Sequence, residues 1–133
     1  MVSGTMMLSG PSLAPQNGRA KKLIILLHGY GANGDDLIEL GDCWSSSLPD
    51  AEFLAPHAPF SCEMTAFGYQ WFSLENWHPQ FLLEQIQIAV PRLNKFIDEN
   101  LEKRGLTDED LMIVGFSQGA MMALYTALTR PST

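Results

Sequence analysis

Gly115-Phe116-Ser117-Gln118-Gly119 places a hydroxyl nucleophile at the centre of a Gly-x-Ser-x-Gly pentapeptide. Leu111 to Val114, ahead of it, is an apolar run that predicts a buried strand, and Ala120 to Leu128, behind it, is apolar nearly all round and predicts a helix packed on a sheet. A serine between such a strand and such a helix sits on a strained turn, and only glycines two residues to either side let the two elements approach closely enough. The Ser117 hydroxyl is then expected to stand exposed at a helix N-terminus, where unpaired amides and the helix dipole favour a developing oxyanion. The chemistry that this predicts is covalent acyl transfer through Ser117, with the Gln118 backbone amide as one oxyanion donor. The competing interpretation is a Gly-rich strand-to-helix turn in a flavodoxin-like or nucleotide-binding sheet, cradling phosphate. That role usually calls for a lysine, an arginine or a longer glycine pattern nearby, and Ala120 to Leu128 offers neither basic residue.

Acyl transfer needs a second backbone donor facing the serine, since losing one such donor typically costs ~10²–10³ in rate. His28-Gly29-Tyr30-Gly31 follows another predicted buried strand, Lys21 to Leu27, and the Tyr30 amide is the candidate. Alone this loop would be an ordinary turn; paired with the pentapeptide it predicts a site built where two strands end.

The elements that must position these loops follow from pattern. Thr5 to Leu8 predicts a short strand, and Gly10 to Ala20, rich in Gly, Pro and Asn, a loop. Lys21 to Leu27 supplies a continuous run of Leu and Ile, as expected of a strand covered on both faces. Leu37, Leu40, Trp44 and Leu48 recur at helical spacing after Asn33 or Asp35 as cap, and Pro49-Asp50 stops that helix. Glu52 to Ala55 predicts a second strand, closed by Pro56-His57-Ala58-Pro59, and Phe60 to Pro79 a long aromatic loop. Leu82, Ile86, Ala89, Leu93, Phe96, Ile97 and Leu101 mark one face of a long helix, kinked at Pro91 and capped at Arg104-Gly105. Thr107 and Asp110 can close a tight turn before the strand that leads to Ser117. The alternation of strand and helix predicts a doubly wound α/β fold with a parallel sheet and right-handed crossovers.

Leu27-His28-Gly29-Tyr30-Gly31-Ala32-Asn33-Gly34-Asp35-Asp36-Leu37, together with Gly115-Phe116-Ser117-Gln118-Gly119-Ala120-Met121-Met122-Ala123-Leu124, resembles the phospholipase/carboxylesterase family, to which acyl-protein thioesterases belong. The similarity extends to Leu8-Ser9-Gly10-Pro11, Ala55-Pro56-His57-Ala58-Pro59 and Gly68-Tyr69-Gln70-Trp71-Phe72. The resemblance implies a three-layer α/β-hydrolase fold and a cofactor-free serine esterase acting on carboxylic esters or thioesters. Ser117 is its nucleophile and Tyr30 and Gln118 its oxyanion-hole amides. It further makes Tyr69, Trp71 and Phe72, in the aromatic loop, candidates for substrate contact; an equally good interpretation is that they cover the sheet edge.

Composition bounds the partners. Eight Lys and Arg against fifteen Asp and Glu leave a net charge of −7, which repels nucleic acid and anionic membrane surfaces. Cys43 and Cys62 form no Cys-x-x-Cys pair and, with the histidines, no cluster at metal-ligand spacing, so no structural metal is expected. The longest fully apolar stretch, Leu23 to Leu27, is far short of the roughly 20 residues of a membrane span, and Met1 to Pro15 has no secretory pattern. A cytoplasmic protein with a small-molecule or acyl ester substrate is the expectation.

In α/β-hydrolases the triad runs serine, then Asp or Glu, then His. Sixteen residues follow Ser117, and none is Asp, Glu or His. His28, His57 and His78 all precede it; the resemblance makes His28 structural, and His57 and His78 lie beside prolines in a strand exit and a loop. Residues 1–133 are therefore expected to be the N-terminal portion of a single α/β-hydrolase domain, incomplete because it lacks the strands and helices after the nucleophile helix. Such a chain is expected to be nearly inactive by itself and to take a complementing C-terminal polypeptide or a homo-oligomeric partner. The alternative from a different class is a non-catalytic remnant or interaction module.

Overall fold

The computed structural model describes residues 8–130; the strand expected over Thr5 to Leu8 falls largely outside them. In chain order the elements are β1 (Ser12–Leu13), β2 (Lys22–Leu27), α1 (Gly34–Trp44), β3 (Ala51–Leu54), β4 (Phe60–Ser61), β5 (Tyr69–Gln70), α2 (Pro79–Arg104), a 3-10 turn (Asp108–Asp110), β6 (Leu111–Gly115) and α3 (Gln118–Thr129). Four strands form one sheet in the order β1-β3-β2-β6, and β4 pairs with β5 in a separate hairpin.

Strand β2 organises the sheet because it is apolar on both faces. Leu23, Ile25 and Leu27 point into a core shared with α2 and with Met122 of α3, whereas Ile24 and Leu26 point into a second core with Phe53 and with Leu37 and Ile38 of α1. Helices therefore cover both faces, giving the three-layer α/β arrangement. Fully burying each such Leu or Ile is worth about 1.5–3 kcal/mol, so β2 is the main apolar anchor. It is parallel to β3 on one side and to β6 on the other, with Leu27 opposite Gly115. The chain thus winds outward from β2 to β3, then returns across the opposite face through α2 to β6. This reversal puts the C-terminal ends of β2 and β6 side by side, where open α/β sheets bind ligands.

Local chemistry explains the boundaries. Asn33 Oδ1 accepts from Asp36 N at 3.0 Å, capping α1. Helix α2 starts at Pro79 behind a His78 cap, remains one helix across Pro91, and ends at Gly105 with φ 66°. Thr107 and Asp110 form a reciprocal capping box that aims the chain into β6. The Arg104 guanidinium grips Glu52 with two bonds of 2.8 and 2.9 Å, tying the end of α2 to β3.

Four expectations need correction. The sheet is mixed, because β1, within the segment expected to be a loop, pairs antiparallel with β3. Helix α1 ends at Trp44, so Leu48 lies in the turn that follows. The expected aromatic loop contains the β4–β5 hairpin, formed by the pairs Phe60–Gln70 and Ser61–Tyr69. Strand β6 is only partly covered, with Met112 56% exposed, and on α3 Leu128 is 75% exposed. Apolar side chains there are therefore not evidence of burial.

Candidate active site

Ser117 occupies the turn from β6 to α3 with φ 55° and ψ −117°. Among the described residues it is the one non-glycine with positive φ. Such a backbone costs of order 1–3 kcal/mol and persists only where its surroundings enforce it. The enforcement is close packing by the flanking glycines. A Cβ on Gly115 would stand 2.3 Å from the Gly119 carbonyl oxygen, and one on Gly119 would stand 2.2 Å from the carbonyl oxygen of Leu27. The strand, the turn and the new helix are thereby pressed onto the end of β2, leaving the Ser117 side chain exposed.

The loop after β2 meets Ser117 directly. A Cβ on Gly29 would lie 3.3 Å from Ser117 Cβ and 4.0 Å from its Oγ. Around this junction most amides are engaged: Gly31 N donates to Tyr69 O, Ala32 N to Gly29 O, Gly119 N to Phe116 O and Ala120 N to Ser117 O. Among the described residues, the Tyr30 and Gln118 amides donate to no protein acceptor.

The junction is locked by side chains whose roles the sequence analysis did not foresee. Gln118, expected to act through its backbone alone, is buried; its Oε1 accepts from Trp71 N and its Nε2 donates to Phe72 O, both at 2.7 Å. Trp71 Nε1 donates to His28 O at 2.9 Å. His28 is buried, with Nε2 accepting from Ala58 N at 2.9 Å and Nδ1 lying 2.7 Å from the Gly29 carbonyl oxygen. A peptide N–H can only donate, so Nε2 carries no proton and Nδ1 does. Burial, above all, lowers the His28 pKa and keeps the ring neutral. Apart from His28 and Gly29, these partners are tens of residues apart in sequence, and no local pattern signals them.

The other histidines are also occupied. His57 Nδ1 accepts from Gly34 N at 3.0 Å and its ring stacks on Tyr69 at 5.0 Å, while His78 Nδ1 accepts from Gln80 N at 3.2 Å. None of these ring bonds reaches Ser117. Of the three aromatic candidates for substrate contact, Trp71 and Phe72 are 0% and 1% exposed within the main core and present no surface to a ligand. They hold the junction from behind. Tyr69 is half-buried.

Tyr30 borders an open cleft of about 460 Å³, lined also by Glu63, Met64, Leu74 and Glu75. Its hydroxyl donates to Glu63 Oε2 at 2.6 Å. Glu63 is held down to about 2 by that bond first, then by Leu74 N and the Ser73 hydroxyl. Among the described residues no group of three or more His, Cys, Asp or Glu could hold a metal ion, and no helix is long and apolar enough to cross a membrane.

Comparison with known proteins agrees with this architecture. Residues 9–133 match the family described as Phospholipase/Carboxylesterase. The chain is 32% identical over 135 residues to acyl-protein thioesterase 1 of Saccharomyces cerevisiae, covering 93% of this chain and 59% of that protein. Among solved structures it is similar to esterase PE8, with a TM-score of 0.90 and 48% identity over 95% of this chain and 60% of that one. It is also similar to Zea mays acyl-protein thioesterase 2, with a TM-score of 0.62 and 25% identity over 88% of this chain and 49% of that one. The chain thus spans about 60% of the length of the curated relatives it matches. With an α/β-hydrolase sheet and a match over nearly its whole length, the chain belongs to the phospholipase/carboxylesterase family.

Proposed function

We propose that this chain carries the nucleophile and oxyanion hole of a serine esterase that cleaves carboxylic esters or thioesters through an acyl intermediate on Ser117. Family membership supports hydrolase chemistry in general. The observation that carries the finer reading is the positive-φ backbone of Ser117 at the start of α3, with the undonated Tyr30 and Gln118 amides beside it. Attack by Ser117 Oγ on a carbonyl carbon would place negative charge on the carbonyl oxygen, and two preset N–H donors would stabilise it more than the ground state. Tyr69, half-buried next to this loop, is the remaining aromatic candidate for substrate contact.

Serine needs a base to attack at neutral pH, and His28, His57 and His78 each already accept a peptide N–H. The base and the carboxylate that orients it are therefore assigned to a further polypeptide segment. Labelling with a fluorophosphonate probe tests this. Slow modification at Ser117, accelerated by added imidazole as surrogate base and abolished in Ser117→Ala, is the expected outcome. Fast labelling without imidazole would place a base within these residues, and labelling that persists in Ser117→Ala would remove Ser117 from the chemistry.

A second reading, a non-catalytic interaction module, is favoured by a separate observation. Strand β6 pairs only with β2 among the described residues, and Met112 on that strand and Leu124 and Leu128 on α3 stand exposed. An open apolar edge invites a further strand or a second copy. A monomeric mass by light scattering, independent of concentration, would count against self-association.

A further inference from the structure

We infer that Glu63 is a positioning residue of the site: its carboxylate holds the Tyr30 side chain and so works with the bonds to the Gly29 carbonyl in keeping the Tyr30 amide in place. The inference rests on the reading of that amide as an oxyanion donor. Beyond Tyr30 backbone bonds anchor the loop to β5, where Gly31 N donates to Tyr69 O and Tyr69 N donates to Ala32 O, each at 2.9 Å. The peptide that carries the Tyr30 N–H is held at its other end, where the Gly29 carbonyl oxygen accepts from Ala32 N at 3.1 Å and lies 2.7 Å from His28 Nδ1. The Tyr30 side chain adds a separate tether, its hydroxyl donating to Glu63 Oε2 at 2.6 Å.

Glu63 can serve as an anchor because it is itself held from several directions. Oε1 accepts from the Ser73 hydroxyl at 2.7 Å, Oε2 accepts from Leu74 N at 2.9 Å, and Glu63 N donates to Gln70 Oε1 at 2.9 Å. These bonds join the β4–β5 hairpin to the segment after Phe72, which Gln118 clamps to the Ser117 turn. Glu63 thereby closes a circuit from the Ser117 turn, through the segment after β5, to the loop after β2. Convergent donors keep Glu63 ionised, and desolvation together with the Glu63 bond holds the Tyr30 phenol protonated well above its ordinary range. The phenol O–H therefore stays a donor and the carboxylate an acceptor throughout the neutral range.

The role is geometric, which makes it testable by graded substitution. In Glu63→Gln the carboxamide oxygen can accept from Tyr30 and Leu74 N while its NH₂ donates to the Ser73 hydroxyl, so the circuit survives. Glu63→Ala removes it. Tyr30→Phe removes only the hydroxyl and leaves Glu63 with its other partners, so it serves if Glu63→Ala does not fold. Saturation kinetics of Ser117 phosphonylation in the presence of imidazole separate the binding constant from the limiting rate. The limiting rate is expected to fall about tenfold in Glu63→Ala and in Tyr30→Phe, with the binding constant within about twofold, because displacing one donor by a fraction of an ångström weakens only the transition state. Glu63→Gln is expected to stay within about threefold of the parent, and the Glu63→Ala/Tyr30→Phe double variant to lose no more than either single one.

The backbone ¹H–¹⁵N spectrum gives an arm that does not depend on catalysis. The Tyr30 and Gly31 amide signals should shift or broaden in Glu63→Ala while that of Ile25 in the core stays in place. Unmoved Tyr30 signals, or multiplicative effects in the double variant, would overturn the assignment. A parent chain that does not label would sink the esterase reading, and the spectrum would then decide the Glu63–Tyr30 coupling by itself.

Discussion

Gln118 and Trp71 are joined side chain to backbone, with Gln118 Oε1 accepting from Trp71 N at 2.7 Å inside the core. The same carboxamide donates to Phe72 O, so one residue following Ser117 pins the segment after β5. Trp71 in turn donates to His28 O, bringing the loop after β2 into the same network. Loop positions that would otherwise drift are thereby tied to the sheet.

Replacing Gln118 with Ala should leave Trp71 N and Phe72 O buried without partners. An unsatisfied buried group costs about 1–3 kcal/mol, so a loss of roughly 2–4 kcal/mol is expected. It should be seen as a lower urea midpoint with an unchanged slope. A loss below about 1 kcal/mol would mean that water replaces the carboxamide freely.

The strain at Ser117 should be recoverable as stability. Ser117→Gly removes the penalty of φ 55° but loosens the unfolded chain, for a net gain of about 1 kcal/mol. A higher melting temperature, together with complete loss of probe labelling, is the expected pair of results. Unchanged or lower stability would show that the hydroxyl contributes more to the fold than its backbone costs.

Two glycines should respond very differently to alanine. Gly18 has φ 87° and nothing within 4 Å of an added Cβ, so its substitution should cost about 1 kcal/mol from backbone strain alone. Gly119→Ala drives a methyl group to 2.2 Å from the Leu27 carbonyl oxygen, and about 3 kcal/mol or more, or failure to accumulate soluble protein, is expected. Chemical denaturation of the two variants side by side checks the ranking.

Acid should weaken the protein in two separate windows. His28 is lowered from 6.5 by burial, so between its folded value and about 6.5 the unfolded chain binds the extra proton, and stability should drop as the pH falls below about 6.5. Glu63 is lowered from 4.5 to about 2, so the stability it contributes is complete above about 4.5 and disappears as the pH falls towards 2. Melting temperatures at pH 8, 5.5 and 3 should show both declines. His28→Gln should flatten the first and Glu63→Gln the second, and a first decline that survives His28→Gln would locate the titration elsewhere.

Much of the architecture was legible because it is written in short-range pattern. The Leu/Ile run of β2 can be satisfied only by apolar cover on both faces, and the structure places a core on each. Gly105 stops α2 at the expected residue because a left-handed cap needs a residue without Cβ. The Gly-x-Ser-x-Gly spacing fixed where the strained turn would fall, since its glycines are required by steric contact within and next to the turn itself. The two-residue strands β1, β4 and β5 carry too little pattern to be read locally.

What the sequence determined by itself is thus the order of the main elements and the serine turn, because period, caps and glycines act over a few residues. Tertiary structure alone decided that Trp71 and Phe72 are core rather than surface, that all three histidines are held by peptide amides, and that Gln118 and Glu63 brace the loops around Ser117. Most of these contacts join residues tens of positions apart. Hydrogen-bond partners at that range are chosen by the sheet order, which brings the ends of β2 and β6 together only after the chain has crossed both faces.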